Sequence, residues 1–350
     1  MTKFRKEQNK KLNIKDGFYD PLTWIDTGNF ALNKMMSGNF RGGVPIGSAT
    51  TFAGASGSGK SYIVSANVVR NALTEGVAVV LLDSEGAVKK KWAEALGVPT
   101  EHPNLIRWPK TTINQVAKTI SDFMEDYTAD VAKMAREDQP PVLFVLDSLG
   151  NLLTETNIEQ FKDGDLKGDK GLFAKQVKAL FKSTMGMFEG YQAGLVCTNH
   201  TYTNQNQYSD HEDIISGGGG QIYLSDIVMS MNKAKLKLDS EGNKTTTVQG
   251  IRSTIKCVKS RYAKPFEEVE VHIPYDRGMD PYSGLFEMIK EKVLVKDGNY
   301  YIYSSKETGK EHKLFRKHMD GEFFEMVMRE YNDADEPVGV NEVPEGADVE

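Results

Sequence analysis

The stretch Gly54-Ala55-Ser56-Gly57-Ser58-Gly59-Lys60-Ser61 has the residue types and the spacing to do chemistry. A glycine, four intervening residues and then Gly-Lys-Ser make a loop that wraps the phosphates of a nucleoside triphosphate. Glycine torsions let successive backbone N–H groups turn inward on an anion. The Lys60 ammonium is expected to reach the β- and γ-phosphates, and the Ser61 hydroxyl to ligate Mg2+. The whole stretch is therefore expected to bind ATP.

Hydrolysis needs further groups. Asp147 ends the apolar run 142–147, where a carboxylate can hold Mg2+ through water. Another group must orient or deprotonate the attacking water. The apolar run 77–83 leads into Asp83-Ser84-Glu85, and a carboxylate just past a parallel strand faces the ligand crevice. Glu85 is the expected base. Asp83 is the alternative, although its place nearer the sheet suggests a hydrogen-bonding role.

Such a site needs strands that end together. The runs 50–54, 77–83, 142–147, 194–199 and 227–231 are short, apolar and rich in β-branched residues, with helix-length segments between several of them. Strands alternating with helices predict an α/β core with a mostly parallel sheet covered on both faces. The glycine loop falls between strand 50–54 and a helical pattern that starts at Ser61. We divide the chain into a basic segment (1–22), the core (23–278), a small α/β unit (279–331) and an acidic tail (332–350). Within the small unit, 297–312 reads as a hairpin and 322–331 as a helix. Two polar connections, about 155–171 and 202–220, are long for structureless loops in a compact domain, and such loops usually carry function.

Composition sets the remaining bounds. With 350 residues, 39% of them hydrophobic, and a mean hydropathy of −0.45, the chain can bury a core and reads as soluble. No apolar run approaches the ~20 residues of a membrane helix. The charged N-terminus lacks the apolar stretch of a secretory signal, so a cytoplasmic protein with no membrane partner is expected. Cys197 and Cys257 lie in apolar, strand-like stretches without metal-ligand spacing and read as small buried hydrophobes. The net charge of −6 argues against a globally basic nucleic-acid binder. Seven acids and no Lys or Arg fall within 332–350, however, and the remainder balances 43 basic against 42 acidic residues. A local basic groove therefore stays open, and the tail reads as a disordered acidic extension that competes with a polyanion for it or docks an accessory protein.

Taken together, these residues resemble the RecA recombinase family, and within it the UvsX-type phage recombinases, over about residues 27–331. Thr27–Gly38 looks like the family's lead-in to the phosphate loop. Asp83-Ser84-Glu85-Gly86 resembles the stretch that carries the family's catalytic glutamate. Residues 147–152 (DSLGNL), 198–202 (TNHTY) and 280–285 (DPYSGL) match the UvsX type closely.

The resemblance implies roles. Trp92 takes the place of an aromatic that stacks on adenine, while Lys89 stands where RecA has an acidic adenine contact. His200 takes the place of the residue that senses the γ-phosphate and signals to the DNA-binding loop. The two polar connections fall at the family's two DNA-binding loops. Lys175, Lys178 and Lys182 recur near helical spacing after the first and could track phosphates. Gly217, Gly218 and Gly219, with Gly220, close the second, where backbone N–H groups could approach a nucleic-acid backbone. Lys259 and Arg261 match cations that reach a neighbouring protomer's ATP and would act in trans as an arginine finger does. The expected protein is a DNA-dependent ATPase that forms a helical filament on single-stranded DNA and exchanges strands with double-stranded DNA. A recombination mediator and a single-strand-binding protein are its expected partners. A ring-forming helicase of the same fold, or a nucleotide-binding regulator without DNA activity, is the alternative.

Overall fold

The computed structural model describes residues 19–165, 167–168, 171–202, 214–238, 243–276 and 278–331. Most of the basic segment, most of the second polar connection and the acidic tail lie outside the described residues.

Eight strands form the central sheet. In chain order they are β1 (Ala49–Gly54), β2 (Ala78–Asp83), β3 (Leu105–Pro109), β4 (Val142–Asp147), β5 (Ala193–Asn199), β6 (Ile227–Leu236), β7 (Gly250–Ser260) and β8 (Glu268–Pro274). Their order across the sheet is β8-β7-β6-β1-β5-β4-β2-β3. From β6 to β3 every pairing is parallel. β7 and β8 extend one edge as an antiparallel pair.

The helices are α1 (Phe30–Ser37), α2 (π-wound over Tyr62–Val68 and running on as Val69–Thr74), α3 (Lys90–Ala95), α4 (Ile113–Asp130), α5 (Glu155–Lys162), α6 (Leu172–Phe188), α7 (Gly219–Leu224), α8 (Leu285–Ile289) and α9 (Gly321–Glu330). Strand side chains alternate between two core layers, as the two-residue period of a strand requires. Leu143 and Val145 of β4 join the layer under α1 and α2. Phe144 and Leu146 join the layer under α4 and α6, which contributes Val116, Ile120, Phe181 and Phe188. Both faces are covered, so β1 and β4 are buried along their whole length.

Register carries the site. Gly54 lies opposite Met231, Ala53 opposite Asn199, and Asp83 opposite Asp147. The C-terminal ends of β1, β2, β4 and β5 therefore lie side by side. The C-terminal unit is a three-stranded antiparallel sheet of β9 (Val295–Asp297), β10 (Tyr300–Ser304) and β11 (Glu311–Leu314). Asp320 caps α9, accepting from the Phe323 N–H, and α9 buries Phe323, Phe324, Val327 and Met328.

Two elements differ from expectation. The first polar connection opens with α5, whose Thr154 and Asn157 form a reciprocal capping box. That box supplies the start signal that the polar composition obscures. The edge strand β3 has partly or fully exposed residues throughout and lacks a clean apolar run. Both cysteines are buried and free, and burial pushes the Cys197 thiol up to about 12. Among the described residues no helix is long and apolar enough to cross a membrane.

Candidate nucleotide site at the strand ends

The phosphate loop joins β1 to α2. Gly57 and Gly59 hold φ of 75° and 99°, which side chains rarely adopt. A side chain at Gly54 would meet the Met231 carbonyl oxygen at 2.4 Å. The Ser58 hydroxyl is buried in the loop without a hydrogen-bond partner among the described residues, a donor suited to a phosphate oxygen. Lys60 is only 7% exposed. Its ammonium donates to the carbonyls of Gly54 (2.8 Å) and Ala55 (3.0 Å). Burial pushes the Lys60 pKa down, against the pull of Asp147 and Glu85.

Asp147 is buried, and both its carboxylate oxygens accept hydroxyl hydrogen bonds. Ser65 of α2 donates to Oδ2 and Thr198 of β5 to Oδ1, each at 2.5 Å. Those bonds fix the carboxylate at the strand end beside Lys60. Among the described residues no group of three or more His, Cys, Asp or Glu forms a ready-made metal cage. The Asp147 carboxylate beside the phosphate loop suits Mg2+, which keeps several waters and takes one or two carboxylates plus substrate phosphates. Ser61 and Asp147 are the residues that would hold it.

Three side chains meet beyond Asp147. The Ser148 hydroxyl donates to Glu85 Oε1 at 2.6 Å. His200 Nε2 lies 3.1 Å from the same oxygen and 3.3 Å from Ser148 Oγ. Ser84 fixes the corner: its hydroxyl donates to the Ser148 carbonyl and accepts from the Ser148 N–H. The Asp147–Ser148 peptide is cis. Asp83, the alternative base, is instead buried and ion-paired with Arg107 of β3. Its Oδ1 is buried without a hydrogen-bond partner among the described residues.

His200 also leads away from the site. Its N–H donates to Asn199 Oδ1 at 2.8 Å. The Asn199 amide donates to the Ser216 carbonyl (2.7 Å) and to Gln221 Oε1 (2.9 Å). Ser216 returns its N–H to the His200 carbonyl at 2.9 Å. Strand β5 is thus tied to the glycine-rich turn and to α7.

The tetraglycine has a packing role that its sequence does not show. A side chain at Gly220 would stand 2.9 Å from Lys178 Cβ, and one at Gly217 3.3 Å from the Phe173 ring. Gly217 and Gly220 therefore let this segment lie close against α6. Gly219 already belongs to α7. Lys175, Lys178 and Lys182 lie on the exposed side of α6, with Val177, Leu180 and Phe181 buried behind them.

Trp92 of α3 is half-buried and meets the Tyr62 ring edge-on, with centroids 5.6 Å apart. Tyr62 follows Ser61 directly, so this aromatic pair flanks the loop. Lys259 and Arg261 have partners within the chain. Lys259 donates to the carbonyls of Ile222 (3.1 Å), Tyr223 (2.7 Å) and Ser225 (2.6 Å), at the C-terminal end of α7. Burial and the Arg261 charge push the Lys259 pKa down. Arg261 pairs with Asp226 at 2.9 Å.

Ser65, Ser148, Thr198 and Gln221 escaped the sequence reading. Each acquires its role from register between strands or from a turn. Only Ser148, immediately after Asp147, had a local signal.

The RecA N-terminal domain family matches residues 3–280. A recombination and repair protein of Enterobacteria phage T4 is 28% identical over 273 residues, covering 77% of this chain. The chain spans 64% of that relative's length. Protein RecA of Rhodococcus jostii (strain RHA1) is 24% identical over 309 residues, covering 87% of this chain and 81% of its own. Protein RecA of Symbiobacterium thermophilum is 26% identical over 309 residues, covering 87% and 78%.

Proposed function

The chain belongs to the RecA family, and from that premise we propose that it is an ATP-hydrolysing DNA recombinase. It would assemble as a helical filament on single-stranded DNA and exchange strands with homologous double-stranded DNA. One observation carries the reading. The contact of Glu85, Ser148 and His200 continues through Asn199 into Ser216 and Gln221. A hydrolytic carboxylate is thereby joined to the glycine-rich segment that closes the second polar connection.

The phosphates enter the loop from Gly54 to Ser61, and the Lys60 ammonium exchanges its two loop carbonyls for phosphate oxygens. Ser61 and Asp147 would hold Mg2+, which would supply positive charge to offset that on the transferring phosphoryl group. Glu85 orients and deprotonates the attacking water, and the Ser148 hydroxyl fixes which carboxylate oxygen faces it. His200, in contact with Glu85 and Ser148, would touch the γ-phosphate or that water. A shift of His200 moves Asn199 through its backbone bond and so moves Ser216 and Gln221. The aromatic pair of Trp92 and Tyr62 offers a surface for the base.

Lys175, Lys178 and Lys182, together with the backbone at Gly217, Gly218 and Gly219, would hold DNA phosphates. In a filament, Lys259 and Arg261 would leave their partners within the chain for the nucleotide of a neighbouring protomer. Lys259 would then release the end of α7, so that nucleotide held across the interface loosens the DNA-facing segment. A recombination mediator and a single-strand-binding protein would act with it in the cytoplasm, that of the host if the chain is phage-encoded.

ATP turnover measured with and without single-stranded DNA, alongside strand exchange between circular single strands and homologous linear duplex, tests the reading. Turnover stimulated by DNA together with joint molecules supports it. Turnover that ignores DNA, with no joint molecules, removes it.

A further inference from the structure

Lys233 stands outside every motif considered so far. Strand β6 pairs with β1 only as far as Met231 opposite Gly54, then runs on to Leu236 against β7 alone. Lys233 is two residues past Met231 and therefore projects from the same face. That face looks onto the phosphate loop, because side chains at Gly54 and Gly59 would meet Met231. The Lys233 ammonium donates to the Ser56 carbonyl. It also lies 3.3 Å from the position a side chain at Gly57 would take.

The Ser56 carbonyl and the Gly57 N–H belong to one planar peptide and point in opposite directions. In a loop of this type the N–H groups face the phosphates. A cation that holds the Ser56 carbonyl outward therefore aims the Gly57 N–H inward. Lys60 and Lys233 grip the same loop, and each would act on the nucleotide differently. Lys60 must leave its carbonyls when phosphate arrives, whereas Lys233 can keep its bond throughout. Its charge is close enough to contribute to the lowering of the Lys60 pKa.

We propose that Lys233 is a positioning residue for the nucleotide, which sets the Ser56–Gly57 peptide for phosphate binding and adds positive charge behind the loop. This rests on the reading of Gly54–Ser61 as the nucleotide site. The test is equilibrium binding of a slowly hydrolysed ATP analogue with Mg2+, without DNA, to the wild type, Lys233→Met and Lys233→Arg. One charge-assisted hydrogen bond at an exposed position, worth roughly 0.7–1.4 kcal/mol, predicts a Kd about 3- to 10-fold weaker for Lys233→Met. Lys233→Arg should restore it. In steady state, Lys233→Met should raise KM and leave kcat nearly unchanged, because Glu85, Ser148 and His200 are untouched. A merely structural role would lower Tm and spare Kd.

An unchanged Kd in Lys233→Met overturns the proposal while the nucleotide site stands. An unchanged nucleotide Kd combined with weaker single-stranded DNA binding overturns it in favour of a DNA contact. A wild type that binds no nucleotide overturns both this proposal and the reading beneath it.

Discussion

Asn199→Ala removes one buried side chain that carries the link between Glu85 with its His200 contact and α7. Asn199 has no exposed surface. It accepts from the His200 N–H and donates to Ser216 and Gln221. Truncation leaves the His200 N–H and Gln221 Oε1 without these partners. The Ser216 carbonyl keeps a donor, the Gln221 amide. Two orphaned groups, one buried and one half-buried, at roughly 1–3 kcal/mol each predict a loss of about 2–6 kcal/mol. At roughly 2 °C per kcal/mol for a large domain, Tm should fall by about 4–12 °C. Calorimetry gives that number, and turnover with and without single-stranded DNA gives the functional one. Basal turnover should persist, because Lys60, Asp147 and Glu85 keep their contacts. Stimulation by DNA should be largely lost. A Tm unchanged within about 1 °C, or stimulation equal to wild type, would refute the argued path.

Other substitutions separate the remaining roles. Glu85→Gln should keep nucleotide affinity and lower kcat by about 10²- to 10⁴-fold, the usual worth of a general base, and near-normal turnover would remove Glu85 from the mechanism. Lys60→Met should abolish stabilisation by ATP without lowering the Tm of the empty protein. The lowered pKa of Lys60 means that the unfolded chain binds this proton more tightly. Stability of the empty wild type should therefore rise with pH from the lowered Lys60 value toward the ordinary 10.5, and this increment should vanish in Lys60→Met. Lys259→Met uncaps the carbonyls at the end of α7 and should cost about 1–2 kcal/mol after allowing for partial exposure. Amide exchange near Gln221–Asp226 should quicken, and unchanged exchange would show that Lys259 is not holding the helix end.

Local pattern made much of the site legible. The phosphate loop, Asp147, Glu85 and His200 each follow a run of apolar residues, and a parallel strand puts its C-terminal end at the crevice whatever the rest of the chain does. The five apolar runs all became strands of the sheet. What stayed hidden depends on neighbours distant in sequence. Ser65 and Thr198 matter because register sets them on either side of Asp147. Lys233 reaches the phosphate loop because β6 outruns its pairing with β1. The tetraglycine reads as a free backbone, yet its glycines also admit α6 at close range. Asp83 and Glu85 look alike in sequence. Burial and Arg107 take one into the sheet edge, while Ser148 and His200 hold the other at the crevice.

Electron microscopy of the protein with single-stranded DNA, Mg2+ and a slowly hydrolysed ATP analogue tests the proposed assembly on DNA. Continuous helical filaments are expected that require both DNA and nucleotide and that fail in the Lys259→Met, Arg261→Met double variant. Closed rings, or no assembly under any of these conditions, would contradict it.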